Sequence, residues 1–227
     1  MPIIGYLHIC QKGQWIRSLN MLVDSIKKSG LYEETTVIRL GVVNDNGGLI
    51  PNELLNDPKM HVIYVGKSSE YERPTLLHMR KYSEIDPEDT KYYYLHTKGI
   101  RHFGNLAESY VIDWINLMLY WNIEQWKLAV KQLDSSDTYG CNCHRKGHDQ
   151  STTDTHYSGN FWWATVQHIR RLPSVIGTRY NDPEFWICSV EGNNFGVFHS
   201  KVNHYGVNFP REKYVTNHEN ELTPVHN

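Results

Sequence analysis

The chain has 227 residues, of which 40% are hydrophobic and 21% are charged. These values are typical of a single folded domain with a sizeable core. The net charge is −2, so no basic surplus exists to neutralise a nucleic-acid backbone, and we expect no nucleic-acid partner. No run of 18 apolar residues occurs, which argues against a transmembrane segment.

The cysteines and the N-terminal sequence indicate in which cellular compartment the protein is expected. Four cysteines occur in a chain that is too large to need a disulfide framework, so reduced thiols are favoured. The opening stretch, MPIIGYLHIC, lacks the basic segment and the small-residue cleavage site of a signal peptide. We therefore expect a cytoplasmic location.

Strands and helices alternate through the first 140 residues. Short apolar or β-branched runs predict strands, and apolar residues spaced three and four apart predict helices. The predicted strands span residues 3–10, 35–43, 60–66 and 91–96. The predicted helices span residues 15–29, 74–85 and 108–133, the last having the strongest helical pattern in the chain.

The second part of the chain predicts shorter elements. A strand is expected at 137–143, a strand and a short helix within 158–173, a short helix or turn at 182–190, and a strand-like segment at 195–207. Residues 216–227 are polar and form a tail, which leaves 1–215 as one domain. Alternating strands and helices predict an α/β fold with a mostly parallel central sheet flanked by helices.

Polar residues follow several of the predicted parallel strands. In such sheets, ligands bind beyond the carboxyl ends of the strands. This rule selects four groups of residues at one edge of the sheet: His8 to Cys10, Asn44 and Asp45, Gly66 and Lys67, and His96-Thr97-Lys98 before Gly99.

The turn His96-Thr97-Lys98-Gly99 has two interpretations of similar weight. Lys98, with His96, fits an anion site, because the lysine ammonium is a compact charge that binds phosphate oxygens. A solvated loop lysine beside a histidine bonded to backbone carbonyls fits equally well. No GxGxxG or GxxxxGK[ST] motif occurs, so dinucleotide-binding and P-loop proteins are excluded.

The stretch HYSGNFWW, residues 156–163, places aromatic rings beside amide and hydroxyl groups. This combination suits a sugar ring, which has apolar faces and hydroxyl edges. The candidate sugar-binding residues are His156, Ser158, Gly159, Asn160 and Trp162. Against this, at least one of the three aromatic residues at 161–163 is expected to belong to the core.

Two further motifs leave alternatives open. Glu184, in NDPEFWIC, lies near a predicted helix start and is either an ordinary N-terminal acid or a general base. Cys141, Cys143 and His144, with His148 nearby, suggest a zinc site. Their spacing is unusual for zinc, so a strand followed by a polar loop is the favoured interpretation.

Four blocks in order carry a family resemblance: YYYLHTKGI, a Trp-rich helix ending in DSSDTYG, HYSGNFWWATVQHIRRLP, and RYNDPEFWIC. Together they resemble small GT-A-fold glycosyltransferases of bacteria and giant viruses, and more distantly rhamnan-synthesis glycosyltransferases. The similarity covers roughly residues 3–206. It implies a GT-A-like, Rossmann-like domain that binds a nucleotide-sugar at the carboxyl edge of the sheet. A viral member would act in the host cytoplasm.

The resemblance also implies roles for the turn after the fourth strand. Many GT-A enzymes have Asp-x-Asp there, which holds Mn or Mg on the diphosphate, whereas this chain has His96-Thr97-Lys98. We expect Lys98 to do part of the metal's work by offsetting the diphosphate charge directly, which leaves it open whether the enzyme needs a metal cofactor. The alternative is Mn or Mg bound by His96 with His199 or His204.

The remaining roles also follow from the resemblance. Asn44 and Asp45 would contact the nucleoside, and Arg73 would reach the base or the phosphates. The segment 158–160 would face the donor sugar and the acceptor. Glu184, with Asp182 as a substitute, would supply the catalytic base.

The leading hypothesis is a hexosyltransferase that moves a sugar from a nucleotide-sugar, with UDP as the expected nucleotide, to a carbohydrate hydroxyl in glycan or polysaccharide synthesis. The alternative is an inactive nucleotide- or carbohydrate-binding module on the same fold. A histidine-rich metal hydrolase is a third hypothesis, but the required ligand spacing is missing. The sequence does not indicate an oligomeric state.

Overall fold

The computed structural model describes residues 1–45, 50–147 and 154–215, so the predicted tail at 216–227 lies outside the described residues. The strands are β1 (Ile3–Cys10), β2 (Thr35–Val43), β3 (Met60–Gly66), β4 (Lys91–His96), β5 (Thr138–Gly140), β6 (Cys143–His144), β7 (His156–Tyr157), β8 (Trp162–Thr165) and β9 (Asn194–Gly196). The helices are α1 (Trp15–Lys28), α2 (Leu31–Glu34), α3 (Asn52–Leu55), α4 (Arg73–Ser83), α5 (Glu108–Leu119), α6 (Trp126–Gln132), α7 (Val166–Arg171) and α8 (Asp182–Trp186).

Seven of these strands form one central sheet, in the order β3-β2-β1-β4-β8-β5-β9. The first four strands of this order are parallel, and β5 and β9 are also parallel. Strand β8 runs antiparallel to both β4 and β5, while β6 and β7 form a separate hairpin. The predicted α/β fold with a mostly parallel sheet is confirmed.

Apolar side chains cover both faces of this sheet. In β4, Tyr93 and Leu95 pack into the cluster that contains residues of α1 and α5. Tyr92 and Tyr94 point the other way, into the cluster that contains residues of α4 and α7. A strand that is buried on both faces places every side chain in the core, which explains the uninterrupted apolar run of β4. Within the described residues, no helix is both long and apolar enough to cross a membrane.

The predicted long helix at 108–133 is interrupted in the structure. A π-helical turn spans Tyr120–Glu124 and separates α5 from α6. The side chain of buried Asn122 donates to Met118 O over 2.9 Å, and Gln125 N bonds to Tyr120 O, five residues back, over 2.9 Å. Because an amide side chain competes for the carbonyl that the helix ladder would use, the ladder shifts by one residue.

Two predicted strands are shorter in the structure. The segment 137–143 divides into β5 and β6, because Asn142 between them has a left-handed backbone with φ of 49°. The segment 195–207 is strand only up to Gly196. Beyond it, Phe198 O still accepts from Asn142 N over 2.7 Å, and the chain then leaves the sheet.

The turn after β4 lies tightly against α5. Gly99 has φ of +74°, and a Cβ atom there would lie 2.4 Å from Val111 Cγ1. Gly30, before α2, has a similar φ of +77°, with nothing within 4 Å of its Cβ position. Gly99 is therefore required both for its left-handed backbone and because a side chain would clash with α5. Gly30 is required for its left-handed backbone alone.

We predict that Gly99→Ala destabilises the protein more than Gly30→Ala. Both variants carry the cost of a left-handed alanine, roughly 1 kcal/mol. Gly99→Ala adds overpacking against Val111, about 1–3 kcal/mol more. Urea unfolding of both variants measures the difference, and equal losses of stability would contradict the close approach of the turn to α5.

Candidate functional site

A cavity of about 310 Å³ opens at the carboxyl ends of the parallel strands. Strand β1 contributes His8 and Cys10, β4 and its turn contribute residues 96–99, and α5 contributes Trp114. Ser68, in the turn after β3, also lines it. The structure therefore brings residues from the predicted strand ends to one cavity.

Backbone and hydroxyl bonds hold the turn after β4. His8 and His96 are register partners in the neighbouring strands β1 and β4. Thr97 N donates to His8 O, and Cys10 N donates to the Thr97 hydroxyl oxygen, each over 2.9 Å. Thr97 is buried and so fixes the turn, while Lys98 O accepts from the hydroxyl of Ser18 on α1 over 3.0 Å.

Lys98 presents an ammonium group that no carboxylate of the described residues contacts. Its Nζ lies 4.0 Å from the ring centroid of Trp114, and within the described residues it makes no hydrogen bond or ion pair. Burial lowers the pKa of Lys98, and the carboxylates of Glu184 and Glu72 act in the opposite direction. A bound anion would replace the missing partner.

The other cations that line the cavity have partners. Lys12 Nζ lies 3.0 Å from Asp45 Oδ2, and Arg101 Nη2 donates to the hydroxyl of Tyr180 over 2.8 Å. Asp45 also accepts from the hydroxyl of Ser68, and these bonds lower the pKa of its carboxyl group. Asp45 thus holds two residues that line the cavity, Lys12 and Ser68. Asn44 directly follows β2, and its backbone N–H donates to Gly66 O.

His96 is a neutral imidazole with a defined proton position. Its Nε2 lies 3.0 Å from Gly159 O, and since a carbonyl only accepts, Nε2 carries the hydrogen. Burial lowers the pKa of His96 to about 3, and the charge of Lys98 acts in the same direction. At neutral pH the remaining nitrogen, Nδ1, is therefore an acceptor.

Glu72 is a cavity residue that the sequence reasoning missed. It precedes α4, and its Oε2 accepts from the hydroxyl of Tyr94 over 2.8 Å and from Asn160 Nδ2 over 2.5 Å. Its Oε1 lies 3.6 Å from His96 Nδ1. The available signal was an acid directly before Arg73-Pro74, at a helix start beyond a parallel strand.

Gly159 connects His96 to Glu184. Its carbonyl accepts from His96, and its N–H donates to Glu184 Oε1 over 2.9 Å. With φ of +92°, a Cβ atom at Gly159 would lie 2.3 Å from Met118 Sδ. Glu184 Oε2 accepts no hydrogen bond from the described residues, and Glu184 is not among the residues that line the cavity.

Aromatic side chains form the rim of the cavity. Tyr71 and Tyr180 meet edge to face with ring centroids 5.3 Å apart, and Trp114 and Tyr205 do so at 5.2 Å. The three tyrosines are 41%, 60% and 56% exposed in chain order. Exposed rings at a cavity mouth suit a flat base or the apolar face of a sugar.

Two predicted site residues hold a loop instead of lining the cavity. Arg73 donates to the carbonyls of Gly177 and Arg179, each over 2.6 Å. Asp182 accepts from both N and Nε of Arg179 over 2.8 Å. Both side chains thereby fix the segment 177–182.

No residue of the segment 156–163 lines the cavity, but Gly159 and Asn160 contact residues that do, namely His96 and Glu72. Trp162 is wholly buried, stacks on Tyr94 with centroids 4.9 Å apart, and donates to Asn160 Oδ1 over 2.7 Å. The prediction that Trp162 contacts a sugar is wrong, because its ring belongs to the core. Ser158 N donates to Asn142 O over 3.0 Å, and His156 bonds Asp154 O over 2.8 Å.

The candidate metal ligands lie in different surroundings. His199 meets His144 with centroids 4.7 Å apart, whereas His204 stacks on Trp114 at 5.3 Å and bonds the hydroxyl of Ser200 over 2.8 Å. Among the described residues, no three histidine, cysteine or acidic side chains form a group that could hold a metal. His148 of the suggested zinc site lies outside the described residues.

No protein-family model matches the chain, and no curated protein matches its sequence. Among solved structures, the chain is similar to HddC from Yersinia pseudotuberculosis, with 12% identity, coverage of 88% of this chain and 91% of that chain, and a TM-score of 0.47. It is also similar to 4-diphosphocytidyl-2C-methyl-D-erythritol synthase, with 8% identity, 92% coverage of each chain and a TM-score of 0.46. Similarity at this level supports no conclusion about activity.

We predict that the free energy of unfolding falls less between pH 7 and pH 5 in a variant that lacks His8 than in the wild type. His8 is 2% exposed, and burial lowers its pKa to about 4. From pH 7 to pH 5 the unfolded chain takes up a proton at this position and the folded protein does not, so the free energy of unfolding falls. His8 accounts for about 2 kcal/mol of this fall in the free energy of unfolding.

Urea unfolding of wild type and His8→Asn at pH 7, 6 and 5 measures this effect. The exposed His61 provides the matched control, His61→Asn, whose pH dependence should follow wild type. An unchanged slope in His8→Asn would mean that His8 titrates similarly in the folded and unfolded states.

Proposed function

We propose that the protein is a glycosyltransferase that moves a sugar from a nucleotide-sugar, with UDP as the nucleotide, to a hydroxyl of a carbohydrate acceptor. The observation that carries the proposal is the Lys98 ammonium. It lies in a cavity at the carboxyl edge of a parallel sheet, without an anionic partner among the described residues. A diphosphate supplies the anion that this position lacks.

The rest of the cavity wall supports a ligand that is more than a phosphate. Tyr71, Tyr180, Tyr205 and Trp114 offer ring faces and edges for a base and for a sugar. Glu72 and His96 add hydrogen-bond acceptors at the same wall. A nucleotide-sugar combines a base, two sugar rings and a diphosphate, and thus matches all three kinds of group.

In the proposed reaction, Glu184 accepts the proton of the acceptor hydroxyl through Oε2. The acceptor oxygen attacks the anomeric carbon of the donor sugar, and the bond from that carbon to the diphosphate oxygen breaks. UDP leaves with the bonding electron pair. Lys98 stabilises the negative charge that develops on this leaving group.

A metal is not part of this reaction. The turn that replaces Asp-x-Asp offers a neutral imidazole and an ammonium, whereas Mn and Mg prefer carboxylate and water oxygens. The ammonium also repels a cation at this position. The turn itself therefore lacks the two carboxylates by which GT-A enzymes commonly hold the metal there.

A second function is favoured by one observation. Glu184 Oε1 already accepts from Gly159 N, and Glu184 does not line the cavity. A carboxylate that serves to position Gly159 would leave the protein without a catalytic base. The protein would then be a nucleotide- or carbohydrate-binding module, which binds UDP but transfers no sugar from a UDP-sugar.

We predict that Lys98→Met weakens UDP binding about 10- to 100-fold and leaves uridine binding unchanged. The lost interaction is a charge-assisted contact of about 1.5–3 kcal/mol with the diphosphate. Titration calorimetry with UDP and uridine measures both affinities. Lys28→Met, on the exposed side of α1, is the matched control, and an unchanged UDP affinity in Lys98→Met would refute the assignment.

We predict that Glu184→Gln lowers sugar transfer about 10²- to 10⁴-fold, the usual effect of removing a general base. The amide oxygen still accepts from Gly159 N, so UDP binding should persist. Release of UDP from a panel of UDP-hexoses with methyl hexosides as acceptors provides the assay. Wild type should remain active in EDTA.

The exposed Glu191 supplies the control for this assay, Glu191→Gln. Near-normal transfer by Glu184→Gln would remove Glu184 from the mechanism. UDP binding by wild type without turnover, in EDTA or with Mn, would favour the binding module. Turnover that requires Mn would restore a metal to the reaction.

A further inference from the structure

We propose that Glu72 and His96 form an acceptor pair that binds a vicinal diol, two adjacent hydroxyl groups of the ligand whose phosphate lies at Lys98. The inference rests on the proposed function for the identity of that ligand. It deepens that function by naming the part of the nucleotide-sugar that this wall of the cavity recognises.

The first acceptor is His96 Nδ1. The other ring nitrogen, Nε2, donates to the carbonyl of Gly159 over 3.0 Å. A neutral imidazole carries one N–H, so Nδ1 presents a lone pair. The ring also meets Phe161 edge to face, with centroids 5.5 Å apart, and this contact limits its rotation.

The second acceptor is Glu72 Oε1. The other carboxylate oxygen, Oε2, takes both the hydroxyl of Tyr94 and the amide of Asn160. Asn160 is in turn held by Trp162, which donates to its Oδ1 over 2.7 Å. The carboxylate is therefore fixed before any ligand arrives, and Oε1 is the oxygen left for that ligand.

These two acceptors face each other across 3.6 Å. Neither carries a hydrogen to donate to the other, and adjacent lone pairs with no hydrogen between them are unfavourable. Both residues line the cavity, so a ligand can supply the donors. The hydroxyls of a vicinal diol are close enough in space to give one hydrogen to each acceptor.

The position of Lys98 indicates that the ligand carries an anionic group beside the diol. The carboxylates of Glu72 and Glu184 both influence the pKa of Lys98, and Lys98 influences that of His96. The anion position and the acceptor pair thus belong to one electrostatic group. A diol joined to a phosphate satisfies both, and a nucleotide-sugar offers one in its ribose and others in its hexose.

The test compares ligands with and without each diol. UDP, 2′,3′-dideoxy-UDP and UDP-glucose are titrated into wild type, Glu72→Gln and Tyr94→Phe. In Glu72→Gln the amide oxygen can keep the bonds to Tyr94 and Asn160 while the NH₂ group satisfies His96 Nδ1. This variant therefore removes the acceptor pair and retains its supports. Tyr94→Phe removes one support and retains both acceptors.

Two results support the proposal and distinguish the source of the diol. If the pair binds ribose, wild type prefers UDP to dideoxy-UDP by about 10- to 100-fold. If it binds hexose, wild type binds both nucleotides equally and prefers UDP-glucose to UDP by that factor. In either case Glu72→Gln abolishes the preference, and Tyr94→Phe retains it.

Other results overturn the proposal. If wild type binds UDP and Glu72→Gln shows the same ligand preferences as wild type, the acceptor pair does not bind a diol. The proposed function is unaffected by that result. If wild type binds none of the three ligands, the proposed function fails and the diol site fails with it. Circular dichroism of each variant confirms that the fold is retained.

Discussion

The site depends on one charge: the ammonium of Lys98, held against Trp114 with no anion from the described chain beside it. A desolvated cation is unfavourable unless a partner offsets the loss of water. The folded chain supplies carboxylates at a distance, from Glu72 and Glu184, which oppose the lowering of the pKa of Lys98 by burial. The residues that the structure describes supply none in contact, and that deficit favours the binding of a phosphate.

The surrounding architecture keeps this charge in place. Parallel pairing of β1 with β4 brings His8 beside His96, and Thr97 then fixes the turn through bonds to both ends of the β1 segment 8–10. Gly159 links His96 to Glu184 on the other side of the site, because its carbonyl oxygen accepts from His96 and its own N–H donates to Glu184. A rigid site of this kind lets electrostatic interactions act without reorganisation when the ligand binds.

The sequence predicted the first half of the sheet and the polar edge, since β1 to β4 show simple apolar runs and ligand sites follow strand ends. It did not reveal Glu72, whose importance comes from Tyr94 and Asn160, residues distant in the chain. It also assigned Trp162 to a sugar, because composition does not tell a buried ring from an exposed one. The break in the long helix follows from the burial of Asn122, a tertiary effect that periodicity cannot show.

A crystal structure of the protein with UDP is the most direct test of the central claim. The account predicts a diphosphate oxygen within ion-pair distance of Lys98 Nζ, about 4 Å or less, with uracil or ribose against the aromatic rim of the same cavity. UDP bound elsewhere on the protein, or a diphosphate held by other cations while Lys98 remains stacked on Trp114 alone, would contradict it.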